Sequence, residues 1–291
     1  MTVSATPSES SDSRPAASNA GAARLPGVWA AAVRLGLLRG GLEIRSFFRQ
    51  RESVVFTFAL PVILLTLFGE IFHGTVGHNG VQFRQYFAAG IIASGIMSTS
   101  FVNLGIGVTV DRDDGTLLRL YGTPAPAAAY FIGKAISALV VSLAEVVILL
   151  ILGSTLLGLH LPSAPDRWVT FAWVFLLAVT TCALLGVAVS SLARSQRSAS
   201  AVVTLPYLVL SFISGVYFVF TSLPAGLQHV AALFPLKWMC QGLRSVFLPG
   251  SFAYTEAGHT WGLDRVALVL AAWLAASLIL CVRTFRWQRR A

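Results

Sequence analysis

The sequence predicts an all-α integral membrane protein with six transmembrane helices and both termini inside, on three observations. Of its 291 residues 56% are hydrophobic and only 11% charged, where a soluble domain carries roughly 25% charged residues. Several apolar runs reach the about 20 residues that a helix needs to cross the bilayer core, where backbone groups must be satisfied within the segment itself. The basic residues are also unevenly placed. With both ends inside, the inner segments hold sixteen Lys and Arg and the outer segments five (Arg84, Arg167, Lys237, Arg244 and Arg265). That is the positive-inside bias expected of this orientation.

The elements follow in order. Residues 1–27 are rich in Ser, Ala and Pro and lack an apolar h-region, so they are expected to be a disordered cytoplasmic tail rather than a signal peptide. Residues 28–291 form the membrane domain. Its first element, 28–51, is expected to be an amphipathic helix on the inner surface. At 100° per residue Trp29, Val33, Leu37, Ile44 and Phe47 share one face, and Arg34, Arg45, Arg49 and Arg51 another. Gly40-Gly41 threatens to break it, and a basic flank anchoring the first span is the plainer alternative. Six spans are expected at about 54–72, 86–110, 135–157, 168–192, 200–220 and 265–283. Pro61 and Pro206 fall inside spans one and five, where proline kinks a helix. An inner loop covers 111–134. The longest outer loop, 221–264, carries "FPLKWMCQGLRSVF", with Lys237, Gln241 and Arg244 on one helical face and Met239, Leu243 and Val246 on the other. It is too short to cross, so a re-entrant or interfacial helical hairpin before the last span is expected.

The net charge of +9 surrounds apolar spans and so reads as topology, without a nucleic-acid partner. Cys182, Cys240 and Cys281 have neither disulfide nor metal-ligand spacing, and the five histidines are scattered over outer loops. There is no phosphate-binding loop, no Ser-His-Asp arrangement and no metal-ligand cluster. No catalytic residue, metal or cofactor is expected in this chain.

Inner loop 111–134 begins "DRDDGTLLRLYGTP". Thr116 to Tyr121 form a short amphipathic turn beside a cluster of charge, ended by Gly122-Thr123-Pro124, since proline disfavours helix in the residue before it. Asp111, Arg112, Asp113, Gly115, Thr116, Leu117, Leu120, Thr123 and Pro124 are similar to the first cytoplasmic loop of type-2 ABC exporter permeases. Members of that family often carry Glu where this chain has Asp111 and Asp113. The outer "FPLKWMCQGLRSVFLPG" at 234–250 resembles the family's Phe-Pro-Leu helix, and the likeness is strongest toward the branch with daunorubicin-type drug exporters. It implies an ATP-driven exporter made of two permease subunits, as a homodimer or heterodimer, with two copies of a separate ATPase that binds ATP and Mg. It further implies that 111–124 docks on that ATPase through Arg112, Asp114, Gly115, Thr116, Leu117 and Leu120, and that 28–51 is the connecting helix. Export of a drug, antibiotic or lipid across a bacterial cytoplasmic membrane is the function the resemblance implies.

For a substrate path the candidates are Glu145 in span three, with Ser142 on its face, Ser94 and Ser98 in span two, and Thr204, Tyr207, Ser211 and Ser214 in span five. An ionisable group in mid-membrane costs at least about 2.5 kcal/mol unless paired or hydrated. Small and hydroxyl residues also pack helices together in membranes, so the stripes fit either cavity lining or helix packing. The residues also admit a proton-coupled secondary transporter using Glu145, and a membrane assembly factor without transport.

Overall fold

Span two is the axis of the molecule. In the computed structural model, which describes residues 26–72, 74–76, 80–122, 127–193, 195–256 and 258–284, helices α3 (Phe83–Met97) and α4 (Leu104–Asp113) are joined through a π-helical segment, Ser98–Asn103. The resulting 31-residue rod, Phe83–Asp113, has 78% of its most apolar stretch buried inside the chain, against 17% for α2 (Arg51–Ile71). Around it stand α2, α6 (Ala127–Leu156), α7 (Pro165–Ser190) and α8 (Gln196–Ile213), with α11 (Leu263–Thr284) packed on α7. A pair of two-residue antiparallel strands, Thr75–Val76 and Val81–Gln82, precedes α3.

Among the described residues five helices are long and apolar enough to cross a membrane: α2, the α3–α4 rod, α6, α7 and α11. The sixth expected span corresponds to α8, which has 18 residues and opens on the polar Gln196-Arg197-Ser198. Those residues hold a capping box, with the Ser195 side chain accepting from the Ser198 amide. Capping chemistry at the N-terminal end thus replaces apolar length, and α8 falls outside the five. The expected tail lies largely outside the described residues, as do His73, His78, Thr123, Pro124, Arg194 and the basic residues beyond Thr284.

The first helix, α1 (Pro26–Arg49), runs unbroken through Gly40-Gly41. The face it turns to the protein is lined by small residues and not by the apolar stripe. Trp29, Val33 and Leu37 are 66%, 46% and 56% exposed, whereas Ala32 is buried, and Gly36 and Gly40 lie on the same side one and two turns on. A Cβ at Gly36 would stand 2.5 Å from the Ile132 side chain, and one at Gly40 3.0 Å from Ile136. Small residues four apart let two backbones approach closely, so α1 lies against the start of α6 and keeps its apolar stripe facing outward. Glycine here is the contact, not a break.

After α8, α9 (Ala225–Ala232) is followed by α10 (Pro235–Phe247), which starts on a proline at its first turn. A helix lying on a surface would leave Lys237, Gln241 and Arg244 in water, yet all three are buried. α10 is packed among α3, α7 and α11. Arg244 pairs with Glu256 at 3.2 Å, stacks its guanidinium 3.9 Å from the centre of the Tyr86 ring and donates to the Gly215 carbonyl. Gly215 has φ +81°, the left-handed region that glycine accepts without a Cβ penalty. Lys237 donates to Gln241 and stacks on Trp238 at 3.8 Å. Burial lowers its ammonium to about 8, Glu256 pulling the other way.

Candidate functional site

Two features stand at the Asp113 end of the span-two rod and along it: a short projecting helix, and a polar interior beside the π-helical segment. The projecting helix is α5 (Thr116–Tyr121). α4 ends at Asp113, and Gly115 turns the chain through φ +71°, so glycine is the residue the corner needs.

The charges around this corner work within the chain. Arg112 donates to the carbonyls of Ser190 and Ala193 at 3.1 and 2.7 Å, capping the C-terminal end of α7. Asp113 accepts from the Gln196 amide at 2.7 Å, at the N-terminal end of α8 where a negative charge is favoured. Asp111 accepts from the Tyr130 hydroxyl at 2.9 Å and pairs with Lys134 at 2.9 Å. Lys134 also reaches Glu43 on α1, 3.2 Å away, and Arg39 holds the same carboxylate at 3.3 Å. One corner thereby touches α1, α6, α7 and α8.

The residues expected at a docking surface are placed differently from one another. Leu117, expected as an outward anchor, is completely buried, and Leu120 packs against the core. Arg112, expected at a docking surface, is spent on the end of α7. The outward groups are Asp114, Leu118 (54% exposed) and Arg119, whose guanidinium donates to the Asp114 carbonyl at 3.0 Å. Gly115 and Thr116 lie between, partly exposed. A six-residue helix presents every side, so the apolar pattern Leu117-Leu118-Leu120 alone does not tell inside from outside.

In the interior, the π-helical turn changes the register of span two. A π-helix closes i→i+5 bonds and is often found at functional sites. Here Thr99 donates to Glu145 Oε2 at 2.5 Å, and Ser100 and Ser142 share a hydrogen bond of 3.1 Å. Asn103 faces the other way and donates to the Thr57 hydroxyl on α2 at 3.4 Å. Higher up, Ser94 and Tyr207 lie 2.9 Å apart, and the Ser211 hydroxyl donates to the Tyr207 carbonyl at 2.8 Å. Ser214 is buried, with no protein partner for its hydroxyl.

Two cavities adjoin this network. The smaller, about 220 Å³, lies between α2, α3 and α8, with Ser94, Ser98, Tyr207 and Tyr217 among its walls. The larger, about 840 Å³, opens beside α1 and includes Arg39, Glu43, Glu52, Asp111 and Lys134. Both are lined by Phe56, Thr57 and Asn103. Pro61, on the smaller cavity, has no N–H to give to the Thr57 carbonyl four residues before it. The structure thus brings Ser94, Ser98 and Tyr207 to one cavity. Thr204, Ser211 and Ser214 are not among its walls, and Ser142 and Glu145 stand behind α3. Sequence reasoning missed Thr57, Thr99 and Asn103. An exposed Asn in an otherwise apolar span was the available signal.

Among the described residues no three His, Cys, Asp or Glu side chains converge as a metal site would require. The family model for the ABC-2 type transporter matches residues 42–248, from the end of α1 through α10. The inner membrane transport permease YadH of Escherichia coli K12 is 25% identical over 215 residues, covering 71% of this chain and 80% of that protein. The putative transport permease YvfS of Bacillus subtilis is 20% identical over 238 residues, covering 82% and 91%. The putative transport permease ycf38 of the alga Porphyra purpurea is 26% identical over 214 residues, covering 69% and 70%. With more than half of its length matched by that model, the chain belongs to the ABC-2 type transporter permease family, whose members are membrane subunits working with an ABC ATPase.

Proposed function

We propose that this chain is the membrane-spanning subunit of an ATP-driven exporter. It moves an amphipathic or lipophilic compound, such as a drug, an antibiotic or a lipid, out of the cytoplasm or the inner leaflet of a bacterial cytoplasmic membrane. Two copies of a separate ATPase bind ATP and Mg and supply the work. In this reading α8 is the fifth of six spans and both termini are cytoplasmic. The observation that carries the reading is α5, a short helix set on a glycine corner with Leu118 and Arg119 turned outward.

Docking is assigned to Asp114, Gly115, Thr116, Leu118 and Arg119, with Leu117, Leu120 and Arg112 holding the element from within. A push on α5 reaches α7 and α8 through Arg112 and Asp113, and α1 and α6 through Asp111 and Lys134. Of those helices α1 and α6 line the larger cavity and α8 the smaller, so ATP-driven movement of the docked helix reaches the substrate path through them. The amphipathic walls suit an amphipathic cargo: charged groups stand at the mouth of the larger cavity, and aromatic and hydroxyl groups line the smaller.

A second permease subunit, a copy of this chain or a close relative, completes the assembly. Asn103 is exposed on the apolar rod beside Thr57, and Phe56, Leu60, Leu205 and Val209 are each more than half exposed on the neighbouring faces of α2 and α8. A polar amide facing hydrocarbon is costly, and a protein partner relieves that cost. The test is Leu118→Glu in membranes containing the partner ATPase. Efflux is expected to fall at least tenfold while the chain still accumulates in the membrane. Efflux that survives Leu118→Glu and ceases with Glu145→Gln would instead assign the chain to proton-coupled secondary transport.

A further inference from the structure

We infer that Glu145 selects for a positively charged group on the transported compound, so that the cargo is a lipophilic cation. This rests on the reading of the two cavities as the substrate path. Glu145 is 2% exposed, and among the described residues no Lys or Arg pairs with it. Its Oε2 is held by Thr99, while its Oε1 has no protein partner. An ionisable group inside a membrane protein marks a functional site by default. A cationic group on the cargo would supply the partner that this oxygen lacks in the protein.

The surroundings show where that cation comes from. Oε1 lies against Gly95, where a Cβ would collide with the carboxylate, and Gly95 itself lines the smaller cavity. Thr99, bonded to the other oxygen, lines the larger. One carboxylate therefore stands behind both cavities, separated from the smaller by a residue with no side chain. Phe56, Tyr207 and Tyr217 face the smaller cavity; aromatic faces attract a cation and accept an apolar body. The mouth of the larger cavity carries the carboxylates of Glu43, Glu52 and Asp111 against the two bases Arg39 and Lys134. Those bases are already paired with Glu43 and Asp111, so the excess charge met on entering is negative. An anionic cargo finds no free basic side chain on either cavity wall among the described residues.

The experiment uses the full chain in lipid nanodiscs at pH 7.5 and two fluorescent probes of equal length. One is dansylcadaverine, which ends in an ammonium; the other is N-dansylhexylamine, which ends in a methyl group. The readout is the ratio of their affinities, which cancels the general apolar contribution. The ratio is expected to fall at least tenfold toward the methyl probe in Glu145→Gln, and to stay within about threefold of wild type in Glu145→Asp, which keeps the charge. An unchanged ratio in Glu145→Gln, or an equal fall in both variants, overturns the inference. Binding needs no ATPase, so its outcome is separate from that of the exporter reading. Loss of docking at Leu118 leaves the ratio untouched, and an unchanged ratio leaves docking untouched.

Discussion

Gly186 on α7 stands where a side chain has no room: a Cβ there would sit 2.6 Å from the Phe101 carbonyl oxygen, inside the π-helical segment. Because the obstacle is backbone, it cannot swing aside as a side chain would. Gly186→Ala is expected to destabilise the chain by about 1–3 kcal/mol and to disturb the register that brings Thr99 to Glu145. Thermal unfolding in detergent checks the first effect, and the probe-affinity ratio checks the second. The same backbone logic explains what a reading of residues one by one reaches. Glu145 was conspicuous as a carboxylate in an apolar run. Its partner was not, because a helix of uniform 3.6-residue pitch does not assign Thr99 to it; the π-helical turn does.

At the scale of elements, α10 is an amphipathic helix with both faces buried. Its polar face is satisfied by groups distant in sequence: Tyr86 on α3, Gly215 after α8 and Glu256 before α11. Removing one partner of a buried ion pair costs about 3–5 kcal/mol, whereas replacing both with apolar groups costs far less. Arg244→Met is therefore expected to lower stability by that amount and Arg244→Met/Glu256→Met to recover much of it, as denaturant unfolding would show. Lys237 gives the segment a pH signature. Its folded value of about 8 lies below the 10.5 of a free lysine, so between these limits the unfolded chain binds the extra proton and stability rises with pH. Melting temperature is expected to climb from pH 8 toward pH 10, and Lys237→Met to remove the climb. The helical elements and their order were legible from hydropathy and the spacing of polar residues. The faces of α1 and α10 were not. Amphipathicity says which side differs, while tight glycine contacts and buried ion pairs decide which side the protein keeps.

For the whole molecule, the corner at Asp111–Gly115 matters more than any single helix. Three consecutive side chains bind three different helical regions, and the next residues project α5 away from the chain. In the proposed exporter that arrangement would pass a contact at α5 on to helices that line both cavities, and it separates buried Leu117 from exposed Leu118. Family membership implies an ATPase partner, and Leu118 is the proposed point of contact with it. The most direct measurement places a photo-crosslinking residue at position 118 in native membranes, with position 117 as the buried control, and identifies the captured protein by mass spectrometry. The account predicts capture of an ATPase subunit carrying a phosphate-binding loop from 118 and not from 117. Capture of lipid alone at 118, with substrate still exported, would contradict it.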